Sequence, residues 1–101
     1  MEQQQYQQFK DFSDEKALEG EKLKMDDILN KEILIKDFNI KKSRYSKNET
    51  GMYLMLQFEL NGETKVLFTG SDVLIKQLQK YKEHIPFMAI LKKINKYYTL
   101  S

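Results

Sequence analysis

Basic and aromatic side chains interleave in two short stretches of this 101-residue sequence. Lys41, Lys42, Arg44, Tyr45 and Lys47 form one; Lys92, Lys93, Lys96, Tyr97 and Tyr98 form the other. Between them lie Tyr53, Met55, Lys65 and Phe68. Lysine and arginine neutralise phosphates, and flat rings stack on bases of any identity at about 1–3 kcal/mol per base. The chemistry these residues can do together is capture of a flexible polyanion that carries bases. A solvated lysine-rich rim would have the same composition, and the interleaved tyrosines weigh against it.

Other chemistries find little support. The sequence has no cysteine, which excludes disulfides, thiolate zinc sites and a cysteine nucleophile. His84 is the one histidine, so His-pair metal sites are excluded and a Ser-His-Asp site is argued against. Its place near a helix end suits capping or solvent exposure. Asp26 and Asp27 are adjacent and read as turn residues rather than metal ligands. No P-loop, GxGxxG, GxSxG or EF-hand pattern occurs. The expectation is a protein that is not an enzyme and needs neither cofactor nor metal. No apolar run approaches the ~18–20 residues of a membrane span. The opening residues, MEQQQYQQFKDF, do not read as a secretory signal. A soluble cytoplasmic protein is expected, in keeping with the absence of cysteine.

The net charge of +2 conceals an asymmetry. Residues 1–32 carry five lysines against nine carboxylates, a net of −4. Residues 33–101 carry eleven lysines and Arg44 against six carboxylates, a net of +6. Such a split suggests a polyanionic partner for the body. Residues 1–20 hold five glutamines among the first eight positions and lack sustained apolar periodicity. They read as a flexible acidic leader, with 21–101 as the folded domain. Tyr6, Phe9 and Phe12, spaced three apart, would share one side of a short helix formed against a partner.

The body must position the basic and aromatic set, and its periodicities predict how. Ile33 to about Tyr45 is a first strand, but Ile33 and Ile35 differ in parity from Phe38 and Ile40. A bulge near Lys36-Asp37 would return all four to one face and bend the strand. Met52, Leu54, Leu56, Phe58 and Leu60 alternate with polar or exposed positions, giving a half-buried second strand. Asn61-Gly62 is a strong hairpin signal, and Glu63 to about Thr69 follows as a third strand. A two-residue turn pairs Tyr53 with Gly70, Met55 with Phe68 and Gln57 with Val66. Tyr53, Met55 and Phe68 then share the face opposite the core, whereas a one-residue change of turn would return Phe68 to the core. Ser71 caps a helix that carries Leu74, Leu78 and Tyr81 inward and must stop by Ile85, before Pro86. Phe87 to Lys92 and Lys96 to Leu100 are the last two strands. Tyr97 and Tyr98 face opposite ways, so only one can join the site.

The element order, β-β-β-α-β-β in about 100 residues, is that of the OB fold, a five-stranded Greek-key barrel. An open α+β sandwich is the rival arrangement. Three segments, LEGEKLKMDDILNKEILIKDFNI, GMYLMLQFELNGETKVLFTGSDVLIKQLQKY and PFMAILKKINKYYTLS, together resemble small OB-fold single-stranded DNA-binding proteins of bacteriophages and mobile elements of Gram-positive bacteria. The resemblance covers roughly 18–101. Lys65-Val66-Leu67-Phe68 is similar to the third strand of bacterial single-stranded DNA-binding proteins, and the resemblance implies a stacking role for Phe68. Thr69-Gly70-Ser71 is spaced differently. Such proteins commonly end in an acidic tail that recruits replication partners. Here Tyr97-Tyr98-Thr99-Leu100-Ser101 is a predicted strand, and the acidic aromatic segment is the leader. Recruitment is either absent or carried by the leader.

These readings converge on single-stranded DNA binding in phage or mobile-element replication or recombination. Bases would stack on Tyr53 and Phe68, with Met55 on the same face, while the loop cations Lys41, Lys42, Arg44, Lys47, Lys92, Lys93 and Lys96 would neutralise phosphates; Tyr45, Lys65 and Tyr97 complete the expected nucleic-acid-binding set. Replication or recombination proteins are expected as partners of the leader, no membrane is expected, and a homo-oligomer is compatible. The alternative is an OB-fold accessory or inhibitor module whose aromatic face docks a protein. A third reading is an RNA-binding OB domain.

Overall fold

The structure is a computed structural model and describes residues 18–43 and 48–101. A two-residue strand, β1 (Glu21–Lys22), leads into a 3-10 turn at Met25–Ile28. Three longer strands follow, β2 (Glu32–Lys42), β3 (Met52–Leu60) and β4 (Glu63–Thr69). The helix α1 spans Asp72–Tyr81 and runs into a 3-10 turn at Lys82–His84. Strands β5 (Phe87–Ile94) and β6 (Tyr97–Leu100) complete the order.

Local chemistry accounts for these bounds. Lys36 is an extra residue in β2, between the pairs Ile35↔Phe58 and Asp37↔Gln57. This is the bulge that the parity of the apolar residues requires. Before it Ile33 and Ile35 are buried, and after it Phe38 and Ile40 pack against the same core. Asn61 and Gly62 both take positive φ, 52° and 81°, as a type I′ turn demands, and they set Met55 opposite Phe68. Ser71 Oγ accepts from the Leu74 amide at 3.3 Å. Ile85 is extended ahead of Pro86, which ends the helical segment. The core lies between the sheet and α1, with Phe58, Leu54, Leu56, Leu67, Leu74 and Leu78 almost wholly buried.

The sheet has six strands in the order β1-β4-β3-β2-β5-β6, all antiparallel except the β1–β4 pair. The expected closed, five-stranded barrel is therefore corrected to an open mixed sheet with one helix. Among the described residues β4 and β6 do not pair, and both edges that closure would join are engaged elsewhere. Glu21 and Lys22 lie beside Lys65 and Val66 on the outer edge of β4. On β6 the Gln77 side chain accepts from the Leu100 amide at 3.0 Å and donates to the Leu100 carbonyl at 3.4 Å. That amide satisfies a strand edge that would otherwise face water unpaired.

Candidate functional site

The bulge at Lys36 decides which residues of β2 reach the outer face. Beyond it, the odd-numbered positions of β2 lie beside the odd positions of β3 and the even positions of β4. Three rows result: Lys41 and Tyr53; Asn39, Met55 and Phe68; Asp37, Gln57, Val66 and, on β1, Lys22. Phe68 is 40% exposed, while Tyr53 and Met55 are half-buried. Phe68 therefore does not belong to the core, and the two-residue turn sets that outcome. The Lys22 ammonium stands 4.8 Å from the centre of the Phe68 ring, a cation–π contact. The result is a small aromatic and thioether platform with a cation at two of its margins.

Two structures frame the platform. At the Gln57 row, residues 18–22 cross its end, and the Gln57 amide donates to the Glu19 carbonyl at 3.0 Å. At the Tyr53 end lies the loop between β2 and β3, whose return is fastened to the start of α1. Asn48 Nδ2 donates to the carbonyls of Gly70 at 2.6 Å and Met52 at 2.8 Å. The Asp72 carboxylate accepts from the Thr50 hydroxyl at 2.6 Å and from the Glu49 and Thr50 amides at 2.9 and 3.1 Å. The Thr50 hydroxyl first, then those amides, holds the Asp72 carboxyl below the usual carboxylate range. Arg44, Tyr45 and Lys47 belong to this loop and lie outside the described residues.

The remaining candidates are dispersed. Lys42 sits opposite Met52, with the parity of the inner face, and is exposed. Lys65 also takes the inner parity, beside Phe58, and its ammonium pairs with Glu21 and with Glu63 at 2.8 Å. The hydrogen bonds it donates to the Glu21 and Glu63 carboxylates raise its pKa, and Lys65 in turn lowers that of Glu63. Lys65 is thus a neutralised cation facing away from Phe68. Lys93 rests 5.2 Å over the Tyr98 ring, whose hydroxyl donates to Asp26 at 2.7 Å. Tyr98 turns inward and Tyr97 outward, 65% exposed. Lys92 is exposed opposite Thr99. Lys96 and Tyr97 line a separate cleft of about 440 Å³ with Gly70, Ser71, Val73 and Lys76, between the start of α1 and the β5–β6 turn.

The structure thus brings Lys41, Tyr53, Met55 and Phe68 together, and it places Lys65, Lys92 and Lys93 off that face. It adds Lys22, Asn39 and Gln57, none of which the sequence marks. Lys22 sits in a two-residue strand too short to carry any periodicity. Lys76 joins the second cleft from a helix position that reads as an ordinary solvated lysine. Among the described residues no cluster of three or more His, Cys, Asp or Glu could hold a metal ion. No described helix is long and apolar enough to cross a membrane.

Residues 19–101 match the model of a family described as a domain of unknown function, DUF8468, and the chain belongs to that family. No curated protein and no solved structure matches it.

Proposed function

We propose that this chain is a non-enzymatic single-stranded DNA-binding module of the OB type, serving replication or recombination of a phage or mobile element. The observation that carries the reading is the cluster of Tyr53, Met55 and Phe68 on one sheet face, with Lys41 and Lys22 at its margins. Strand and helix order support it. In β2-β3-β4-α1-β5-β6, β3 and β4 stand where an OB fold has its second and third strands, the usual base-stacking face. The loops that flank such a face are here the β2–β3 loop with Arg44, Tyr45 and Lys47, and the β5–β6 turn with Lys96. On this reading, the edge contacts of β1 and Gln77 keep the OB-type sheet open between its third and fifth strands. Bases would stack on Tyr53 and Phe68 while Lys41, Lys22 and the loop cations neutralise phosphates.

A labelled-oligonucleotide titration tests the reading. Oligo-dT should bind more tightly than duplex of the same length, and affinity should fall as salt rises because counterions are released. Equal binding of duplex, or none of either, would refute it. Oligo-U in the same assay separates DNA from RNA preference.

A protein-docking role has its own supporting observation. Strand β5 is apolar on both sides, and Met88, Ile94 and Tyr97 stand 53%, 57% and 65% exposed. A partner held there would dissociate little with added salt, and the same salt series distinguishes the two.

A further inference from the structure

We infer that the acidic, aromatic segment 1–17 docks on the β2–β3–β4 face and competes there with nucleic acid; the inference rests on the nucleic-acid reading of that face. The chain just after this segment already lies against the platform. Leu18 is half-buried, the Glu19 carbonyl accepts from Gln57, and Lys22 covers part of Phe68. Gly20 fixes this route. It takes φ +147°, which side chains rarely adopt, and a Cβ there would sit 3.0 Å from the backbone of Lys65 and Thr64, tighter than nearly all real contacts. The chain therefore leaves Glu19 at the Gln57 row, one row from Met55 and Phe68.

From that exit the segment has reach and the right chemistry. Two residues along a strand cover about 7 Å, so each row is a short step. Four to five residues of extended chain span about 13–18 Å, which puts Glu15 and Asp14 within reach of the platform from Glu19. Residues 1–17 carry Glu2, Asp11, Asp14 and Glu15 against Lys10 and Lys16, a net of −2. They also carry Tyr6, Phe9 and Phe12. Carboxylates and rings in one short segment imitate phosphates and bases. Lys22, Tyr53 and Phe68 would receive either.

Tethering sets the expected size of the effect. A short tether gives an effective concentration on the order of millimolar, so a contact with an intrinsic dissociation constant of ~0.1–1 mM weakens oligonucleotide binding roughly 2- to 10-fold. Two full-length variants test this. In the first, Asp11→Asn, Asp14→Asn and Glu15→Gln remove the negative charge. In the second, Phe9→Ala and Phe12→Ala leave the charge unchanged. Both should tighten oligo-dT binding roughly 2- to 10-fold at low salt, and the gain should shrink at high salt as screening loosens the acidic contact. Without DNA, both should shift the backbone amide resonances of Tyr53, Met55, Gln57 and Phe68 in the labelled protein. If only the charge variant binds more tightly and those amides do not move, the effect is long-range repulsion and the docking inference is wrong. Shifts that grow with protein concentration would assign the face to the segment of a second copy, which also overturns it. If no variant binds oligo-dT, the nucleic-acid reading falls with the competition, and the amide shifts alone decide whether the segment docks.

Discussion

Replacing Phe68 by alanine separates a binding surface from a structural one. The ring is 40% exposed on the outer face, beside Met55 and below the Lys22 ammonium. Fully burying such a side chain is worth about 1.5–3 kcal/mol, and the covered part of this ring accounts for somewhat over half of that. No enclosed cavity forms where a ring already opens on solvent. Loss of the exposed cation–π contact adds about 0.5–1 kcal/mol. Phe68→Ala should therefore cost about 1.5–3 kcal/mol in stability. Phe58→Ala, at a position with no exposure, should cost about 3–5 kcal/mol through transfer and cavity together. Binding should respond in the opposite order. Loss of one stacking ring at about 1–3 kcal/mol weakens oligo-dT affinity about 5- to 150-fold. Urea denaturation gives the first quantity and fluorescence anisotropy with labelled oligo-dT the second. If Phe68→Ala leaves affinity unchanged, or destabilises the fold as much as Phe58→Ala, the platform argument is refuted.

Charge, edge and acid responses give further expectations. Replacing Lys41 and Arg44 together by alanine should lower the slope of log affinity against log salt by up to about 1.4, at ~0.7 per phosphate contact. Lys65→Ala should leave that slope unchanged because Glu21 and Glu63 already hold its ammonium, and a lower slope would place Lys65 on the phosphate path. Gln77→Ala removes the side chain that bonds the β6 edge at Leu100, and should lower stability by about 1–2 kcal/mol in thermal melts. The Asp72 carboxyl is held below its unfolded value by Thr50 and its neighbours. The unfolded chain therefore takes up this proton first, so the stabilisation is complete above the unfolded pKa of about 3.9 and is lost as pH falls below it. An acid titration of stability should show a shallower fall in Asp72→Asn than in the native protein, and identical falls would remove Asp72 as a contributor.

Much of the fold could be read from local signals. The alternation from Met52 to Leu60 and the Asn61-Gly62 turn are enough to place Met55 beside Phe68, because a turn of known length fixes every later pair. The parity conflict around Lys36 is enough to demand a bulge. Ser71 and Pro86 mark the ends of the helical segment. What was hidden depends on contacts distant in sequence. β1 has two residues and no period, so neither it nor the Lys22–Phe68 contact leaves a pattern. The open edge follows from Gln77 reaching Leu100, and no local propensity encodes that meeting. Lys65 is different, because its face was available from the register. It precedes Phe68 by three residues, an odd separation that puts the two on opposite faces of a strand. The aromatic half of the site was thus legible from spacing, whereas the phosphate path was not. Lysines are solubilisers everywhere on this surface, and only tertiary contacts show that Glu21 and Glu63 hold Lys65 while Lys22 rests over Phe68.

The most direct measurement of the central claim is photocrosslinking of the full-length protein to an oligonucleotide carrying 5-iododeoxyuridine, followed by identification of the modified residues. A base stacked on this face lies in contact with Tyr53 or Phe68, with Met55 two residues from Tyr53 on β3 and opposite Phe68 on β4. The account predicts crosslinks at Tyr53 and Phe68, suppressed by excess oligo-dT and by high salt. Crosslinks confined to Tyr81, Tyr97 or Tyr98 while binding persists would contradict it and move the single-strand path to another face.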